Sequence, residues 1–127
     1  MLNLQNLVKP DFTCENAMSC FFNLNPLETA AYRTLVLEGP LTAKQLGEKL
    51  KKDRSTSYRA LKNLMSAGLC YKETRTIEAG GYYHVYTAMD PGEVKAEIEK
   101  MVDLWHVKVK EGLSKFDEFE RELKGSR

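Results

Sequence analysis

The chain has 127 residues, 43% of them apolar, and a formal net charge of +1, which suits one domain with a modest core and an appendage. No apolar run approaches the ~20 residues of a membrane helix, and the N-terminus MLNLQNLVKP lacks the cationic start and apolar stretch of a secretory signal. Cys14, Cys20 and Cys70 form an odd set with no CxxC, which argues against a disulfide framework and suits a reducing, cytoplasmic setting.

Residues Met1 to Asp11 are weakly patterned; Leu2, Leu4, Leu7 and Val8 offer apolar contacts to a partner subunit, and Pro10 interrupts them. Phe12 to Leu24 reads as a short helix capped by Thr13. Asn25-Pro26-Leu27-Glu28 then starts a helix, with Asn at the N-cap, Pro at the first position and Glu at the third. This helix runs from Pro26 to Glu38, buries Leu27, Ala31, Thr34, Leu35 and Leu37, and stops at Gly39-Pro40.

Leu41 to Gly68 predicts two short helices joined by a tight polar turn. Thr42 caps the first, and Gln45 completes a capping box. Leu46 and Leu50 repeat four residues apart. The turn is Lys51-Lys52-Asp53, and Asp53 accepts from the open N–H groups of the second helix. That helix runs from Arg54 to about Ala67, and Gly68 ends it. At 100° per residue, Ser57, Ala60, Leu61 and Leu64 share one side. Ser55, Arg59, Lys62 and Ser66 share the other, flanked by Tyr58. Such a face offers donors for phosphate, cations for guanine edges and hydroxyls that adapt to either base.

Charge is concentrated here. Residues 41–75 hold nine Lys and Arg against three acids, a local charge of +6, while residues 1–40 carry −2 and residues 76–127 carry −3. A phosphate responds to charge within a Debye length of ~8–10 Å, so the local value outweighs the total.

After Gly68 the pattern changes to β-branched and aromatic residues. Leu69–Ile77 and Tyr82–Thr87, joined by Glu78-Ala79-Gly80-Gly81, predict a β-hairpin. Directly after a helix-turn-helix, such a hairpin is a wing. Tyr82, His84 and Tyr86 alternate with Tyr83 and Val85, so one set is expected on the helices and the other outside. Lys72 and Arg75 are expected to meet phosphate. Asp90-Pro91-Gly92-Glu93 opens a last helix running to about Leu123. Its apolar stripe, Val94, Ile98, Met101, Trp105, Val109, Leu113, Phe116, Phe119 and Leu123, mixes threes and fours. That is a coiled-coil seam with a stutter, weakened near Gly112. A stripe that long needs a partner, and a second copy of the chain is the simplest.

Three quoted stretches carry a family resemblance: LNPLETAAYRTLVLEGPLTAKQLGEKL, DRSTSYRALKNLMSAGL, and a hairpin ending GGYYHVYTAMDPGEV before the long helix. Together they resemble the archaeal TrmB-like winged helix-turn-helix transcriptional regulators. The resemblance implies a DNA-binding regulator, usually dimeric, with Arg54, Ser55, Thr56, Tyr58, Arg59 and Lys62 toward DNA. Full-length members carry a sugar-binding domain after the helix; the sequence is read as a short form without it, and no small-molecule effector is assigned.

No catalytic or metal site is expected. His84 and His106 have no Ser, Cys or Asp at triad spacing, the cysteines and histidines lack finger spacing, and Gly80-Gly81 is a hairpin turn. The fold class expected is mainly α with a small β-hairpin. Residues 1–24 form an N-terminal segment, 25–89 a winged-helix DNA-binding domain, and 90–127 a dimerisation helix. The function expected is sequence-specific binding of double-stranded DNA as a homodimer, without cofactor. Lys44, Lys51 and Lys52 join Lys72 and Arg75 on phosphate. Two other readings fit the same residues: a winged-helix adaptor for protein partners, and a thiol- or ligand-responsive regulator.

Overall fold

The computed structural model describes residues 14–125. In order they form α1 (Cys14–Phe22), α2 (Pro26–Glu38), α3 (Ala43–Leu50), α4 (Arg54–Ser66), β1 (Cys70–Thr76), β2 (Tyr82–Ala88), α5 (Pro91–Ser114) and α6 (Phe116–Gly125). The expected Thr13 cap and the apolar positions of residues 1–11 lie outside the described residues. The chain divides into two compact units, residues 1–94 and 95–127.

Local chemistry sets the helix starts of the first unit. Asn25 Oδ1 accepts from the Glu28 N–H at 2.8 Å, and Glu28 Oε1 accepts from the Asn25 N–H at 3.0 Å. Thr42 and Gln45 make the same reciprocal pair at 3.1 and 2.9 Å. Each box satisfies two donors that a helix start leaves open. The core forms where α2, α3 and α4 meet: Leu35, Leu46, Leu61, Leu64 and Leu69 are under 2% exposed. Ala31 is buried as expected, but Leu37 is 72% exposed. Two residues past Leu35 a helix has turned ~200°, which carries Leu37 to the opposite side. Glu28 and Tyr32 occupy the buried side instead. The Tyr32 hydroxyl donates to the Met89 carbonyl at 2.8 Å, which ties α2 to the end of β2.

The two strands pair antiparallel, from Cys70 with Ala88 at the base to Thr76 with Tyr82 near the tip. The expected alternation fails at the base, where Val85 and Tyr86 are both buried. The reason is a second edge contact. The Leu41 N–H donates to the Tyr86 carbonyl at 3.2 Å and the Tyr86 N–H to the Leu41 carbonyl at 2.8 Å. At this point β2 thus runs between β1 and Leu41, with both of its edges hydrogen-bonded. β1 is exposed from Tyr71 to Thr76.

Within residues 95–125, one helix to Leu123 is the sequence expectation; the structure breaks it at Lys115. The Ser114 hydroxyl takes the Glu111 carbonyl at 2.6 Å, the acceptor that the Lys115 N–H would otherwise use. The Lys115 N–H turns to the Gly112 carbonyl, three residues back, at 3.2 Å. A local side-chain bond and a weak helix former thus end α5. No described residue after Val94 is buried. Trp105 is 40% exposed, Leu113 60%, Phe116 57% and Leu123 60%. Among the described residues, no helix is long and apolar enough to cross a membrane.

Candidate nucleic-acid interface

The second helix of the pair, α4, presents the face that its sequence pattern predicts. Ser57, Ala60, Leu61 and Leu64 are buried, while Arg54, Ser55, Tyr58, Arg59, Lys62 and Ser66 are exposed and Thr56 is half-buried between them. Asp53 starts the helix: its Oδ1 accepts from the Thr56 N–H at 2.6 Å. Hydrogen bonding from Thr56 holds the Asp53 carboxyl below the usual carboxylate range, and the charges of Arg59 and Lys52 add to this. The acid at the head of α4 is therefore engaged as a cap.

Close approach sets the angle between α3 and α4. Lys51 adopts left-handed backbone at φ 58°, and the Lys52 N–H donates to the Gly47 carbonyl at 2.9 Å. A Cβ on Gly47 would stand 2.7 Å from the Lys52 carbonyl and 3.0 Å from Ser57 Oγ. Ser57 is fully buried, and its hydroxyl donates to the Asp53 carbonyl at 3.0 Å. Sequence reasoning placed Ser57 inside but assigned no role to Gly47, because the approach joins residues of different elements. A single glycine in an amphipathic helix is the signal it could have used.

A second link comes from α2. Buried Glu28 accepts through Oε2 from the Asn63 amide at 2.5 Å, which joins the head of α2 to the outer flank of α4. Neither residue was among the expected site residues. A third link is Cys70, whose thiol donates to the Leu61 carbonyl at 3.7 Å. Burial pushes that thiol up to about 11. It stays protonated near neutrality and is a poor nucleophile. Cys20 is also buried, and neither forms a disulfide.

The expected phosphate ligands fall into two groups. Lys44 on α3 and Lys51 and Lys52 in the turn are exposed. Among the described residues, no carboxylate pairs with them, nor with Arg54, Arg59, Lys62 or Lys72. Lys49, outside the expected set, pairs with Glu38 at 3.7 Å. The wing cations differ from each other: Lys72 stands opposite Tyr86, Arg75 stands opposite Tyr83, and Arg75 lies 4.0 Å from Glu73. Burial raises the Tyr86 hydroxyl above its ordinary range, with Tyr58 and Cys70 adding and Arg54 opposing. The base of the wing and the head of α4 therefore share one electrostatic neighbourhood.

Of the stripe expected to pair subunits, Val94 is only 4% exposed and belongs to the core of residues 1–94. Ile98 and Met101 are half-buried, and Trp105, Val109, Leu113, Phe116, Phe119 and Leu123 are exposed. Val102, Leu104 and Val107 are exposed apolar residues outside the expected seam. Phe116 and Phe119 pack ring to ring, 5.9 Å between centroids.

Comparison with known proteins identifies the family and the fold. Residues 18–92 match the family model described as sugar-specific transcriptional regulator TrmB. An uncharacterized protein of Methanocaldococcus jannaschii is 35% identical over 107 residues, which is 84% of this chain and 88% of that protein. A possible transcriptional regulator from Methanosarcina mazei shares the fold, with a TM-score of 0.71 at 22% identity over 80% of this chain and 86% of that one. TrmBL2, described as an archaeal chromatin protein with a novel mode of DNA binding, aligns with a TM-score of 0.56 and 28% identity. That alignment covers 86% of this chain and 38% of TrmBL2.

Proposed function

This chain belongs to the TrmB family of transcriptional regulators, and from that premise we propose that it binds double-stranded DNA sequence-specifically, as a cytoplasmic homodimer. The observation that carries the reading is the unpaired cationic face of α3, the turn and α4. Lys44, Lys51, Lys52, Arg54, Arg59 and Lys62 lie there with no carboxylate in ion-pair contact among the described residues, and the nearby Asp53 is engaged as the cap of α4. The DNA binding described for TrmBL2 supports the same partner. Lys44, Lys51 and Lys52 bind phosphate and set the unit across the backbone. Arg54, Ser55, Thr56, Tyr58, Arg59 and Lys62 enter the major groove, with Arg59 the strongest candidate for a guanine edge. Gly47 and the Glu28–Asn63 bond hold the reading helix at a fixed angle.

The exposed apolar stripe of α5 and α6 supports the pairing of two chains, because a solvated helix does not carry such a surface. Two copies place two reading helices on one face of the duplex, with half-sites one helical turn or a multiple apart. The test compares two variants on a selected operator and on mixed sequence. Arg59→Ala is expected to weaken operator binding by ~1–3 kcal/mol and to relax sequence preference, while Lys52→Ala weakens all sequences alike. Uniform loss in both variants would remove α4 as the reading helix.

A further inference from the structure

The wing is a two-stranded ribbon, so its side chains divide between two faces. The register places Cys70, Lys72, Thr74 and Thr76 with Ala88, Tyr86, His84 and Tyr82 on one face. Tyr71, Glu73 and Arg75 stand with Thr87, Val85 and Tyr83 on the other. One contact orients the first face. The buried Cys70 thiol reaches the Leu61 carbonyl of α4, and Tyr86, buried on the same face, feels the charge of Arg54 at the head of that helix. The base of the face bearing Lys72 therefore packs toward α4, which puts Lys72 on the α4 side of the ribbon. Arg75 stands on the other side.

Charge separates the faces as well. The Lys72 face carries no carboxylate, and its lysine has no acidic partner among the described residues. On the other face Arg75 stands beside Glu73, which offsets its charge. The Lys72 face also carries a built hydrogen-bonding group. Thr74 Oγ1 and His84 Nδ1 are 3.1 Å apart across the strands, and the Tyr82 ring packs on the His84 ring at 5.6 Å. This bond engages Nδ1 and leaves Nε2 as the ring nitrogen open to a phosphate oxygen; in the tautomer where the threonine hydroxyl donates to Nδ1, Nε2 carries the proton and is the donor.

We propose that the wing meets nucleic acid through its Lys72–Thr74–His84–Tyr82 face, with His84 a phosphate donor oriented by Thr74, and that Arg75 is turned away from the duplex. This deepens the DNA-binding reading and rests on it; it departs from the sequence expectation that Lys72 and Arg75 act alike. A phosphate contact carries no base information, so its loss weakens all sequences equally.

The full-length chain and its single variants are titrated onto one fluorescent duplex of mixed sequence over a salt series. Lys72→Ala is expected to weaken binding 3- to 10-fold and to lower the magnitude of the salt slope by about 0.9. His84→Ala is expected to weaken binding by a similar factor, and Thr74→Val, which frees the ring while keeping its donor, by less. Arg75→Ala should stay within twofold of the parent. Loss in Arg75→Ala equal to that in Lys72→Ala overturns the assignment of faces, and an unchanged His84→Ala overturns the role of the imidazole. A parent chain with no duplex affinity overturns the DNA-binding reading itself, and this inference with it.

Discussion

The two units of the chain use apolar residues in opposite ways. In residues 14–94, leucines from three helices and the base of the hairpin close on one another, and five leucines are under 2% exposed. In residues 95–125, apolar side chains recur at helical spacing, and none is buried. The first unit finishes its own core, whereas the second leaves its apolar side chains exposed. The difference teaches that burial pattern, rather than apolar content, separates a self-sufficient fold from an exposed apolar surface.

Substitutions sharpen that comparison. Leu64→Ala opens a cavity in a fully buried site, and is expected to destabilise the first unit by ~3 kcal/mol at any protein concentration. Phe119→Asp at the exposed stripe is expected to leave the thermal transition of the winged unit in place. It should raise the dimer dissociation constant by a factor of about 30 or more, roughly 2 kcal/mol, measured by sedimentation. Equal effects of the two variants on unfolding at low concentration would break the distinction.

Gly47→Ala tests how tightly the first unit is closed. The added methyl meets backbone at 2.7 Å, and a loss of ~1–3 kcal/mol is expected in spite of alanine's better helix propensity. Duplex affinity should fall more than stability does, because the angle of α4 shifts. A variant as stable and as active as the parent would show that the turn yields freely.

The smallest effect concerns alkaline pH. Burial, with Asp90 adding, raises the Tyr32 hydroxyl from 10.0 to about 12. The unfolded chain therefore loses this proton first, so stability is retained below pH 10 and falls as pH rises from about 10 toward 12. Tyr32→Phe removes this component of the slope, as denaturant titrations at pH 9 and 11 would reveal; an unchanged slope would mean the hydroxyl is not held neutral.

Signals confined to a few neighbouring residues were legible in the sequence. Asn25, Thr42 and Asp53 cap their helices as expected, since a cap and its acceptors lie within three residues. The buried side of α4 and the hairpin were legible too, because periods of 3.6 and 2 encode them. What was missed joins distant positions. Tyr32 reaches Met89, Glu28 reaches Asn63, and Leu41 pairs with Tyr86 to bury both Val85 and Tyr86. The break at Lys115 depended on a serine competing for one carbonyl, which a wheel drawn through an unbroken helix does not register. The wing cations looked alike as a list of charges, and only strand register sets them on different faces.

The central claim, that the cationic face of α3, the turn and α4 binds duplex DNA, is tested most directly by anisotropy of a fluorescent mixed-sequence duplex across a salt series. The account predicts submicromolar to micromolar binding at low salt, with log K falling linearly in log salt at a slope of about −4 or steeper, as expected when roughly five or more phosphates are neutralised. Absence of binding at low salt by a verified dimer, or a slope near zero, would contradict it.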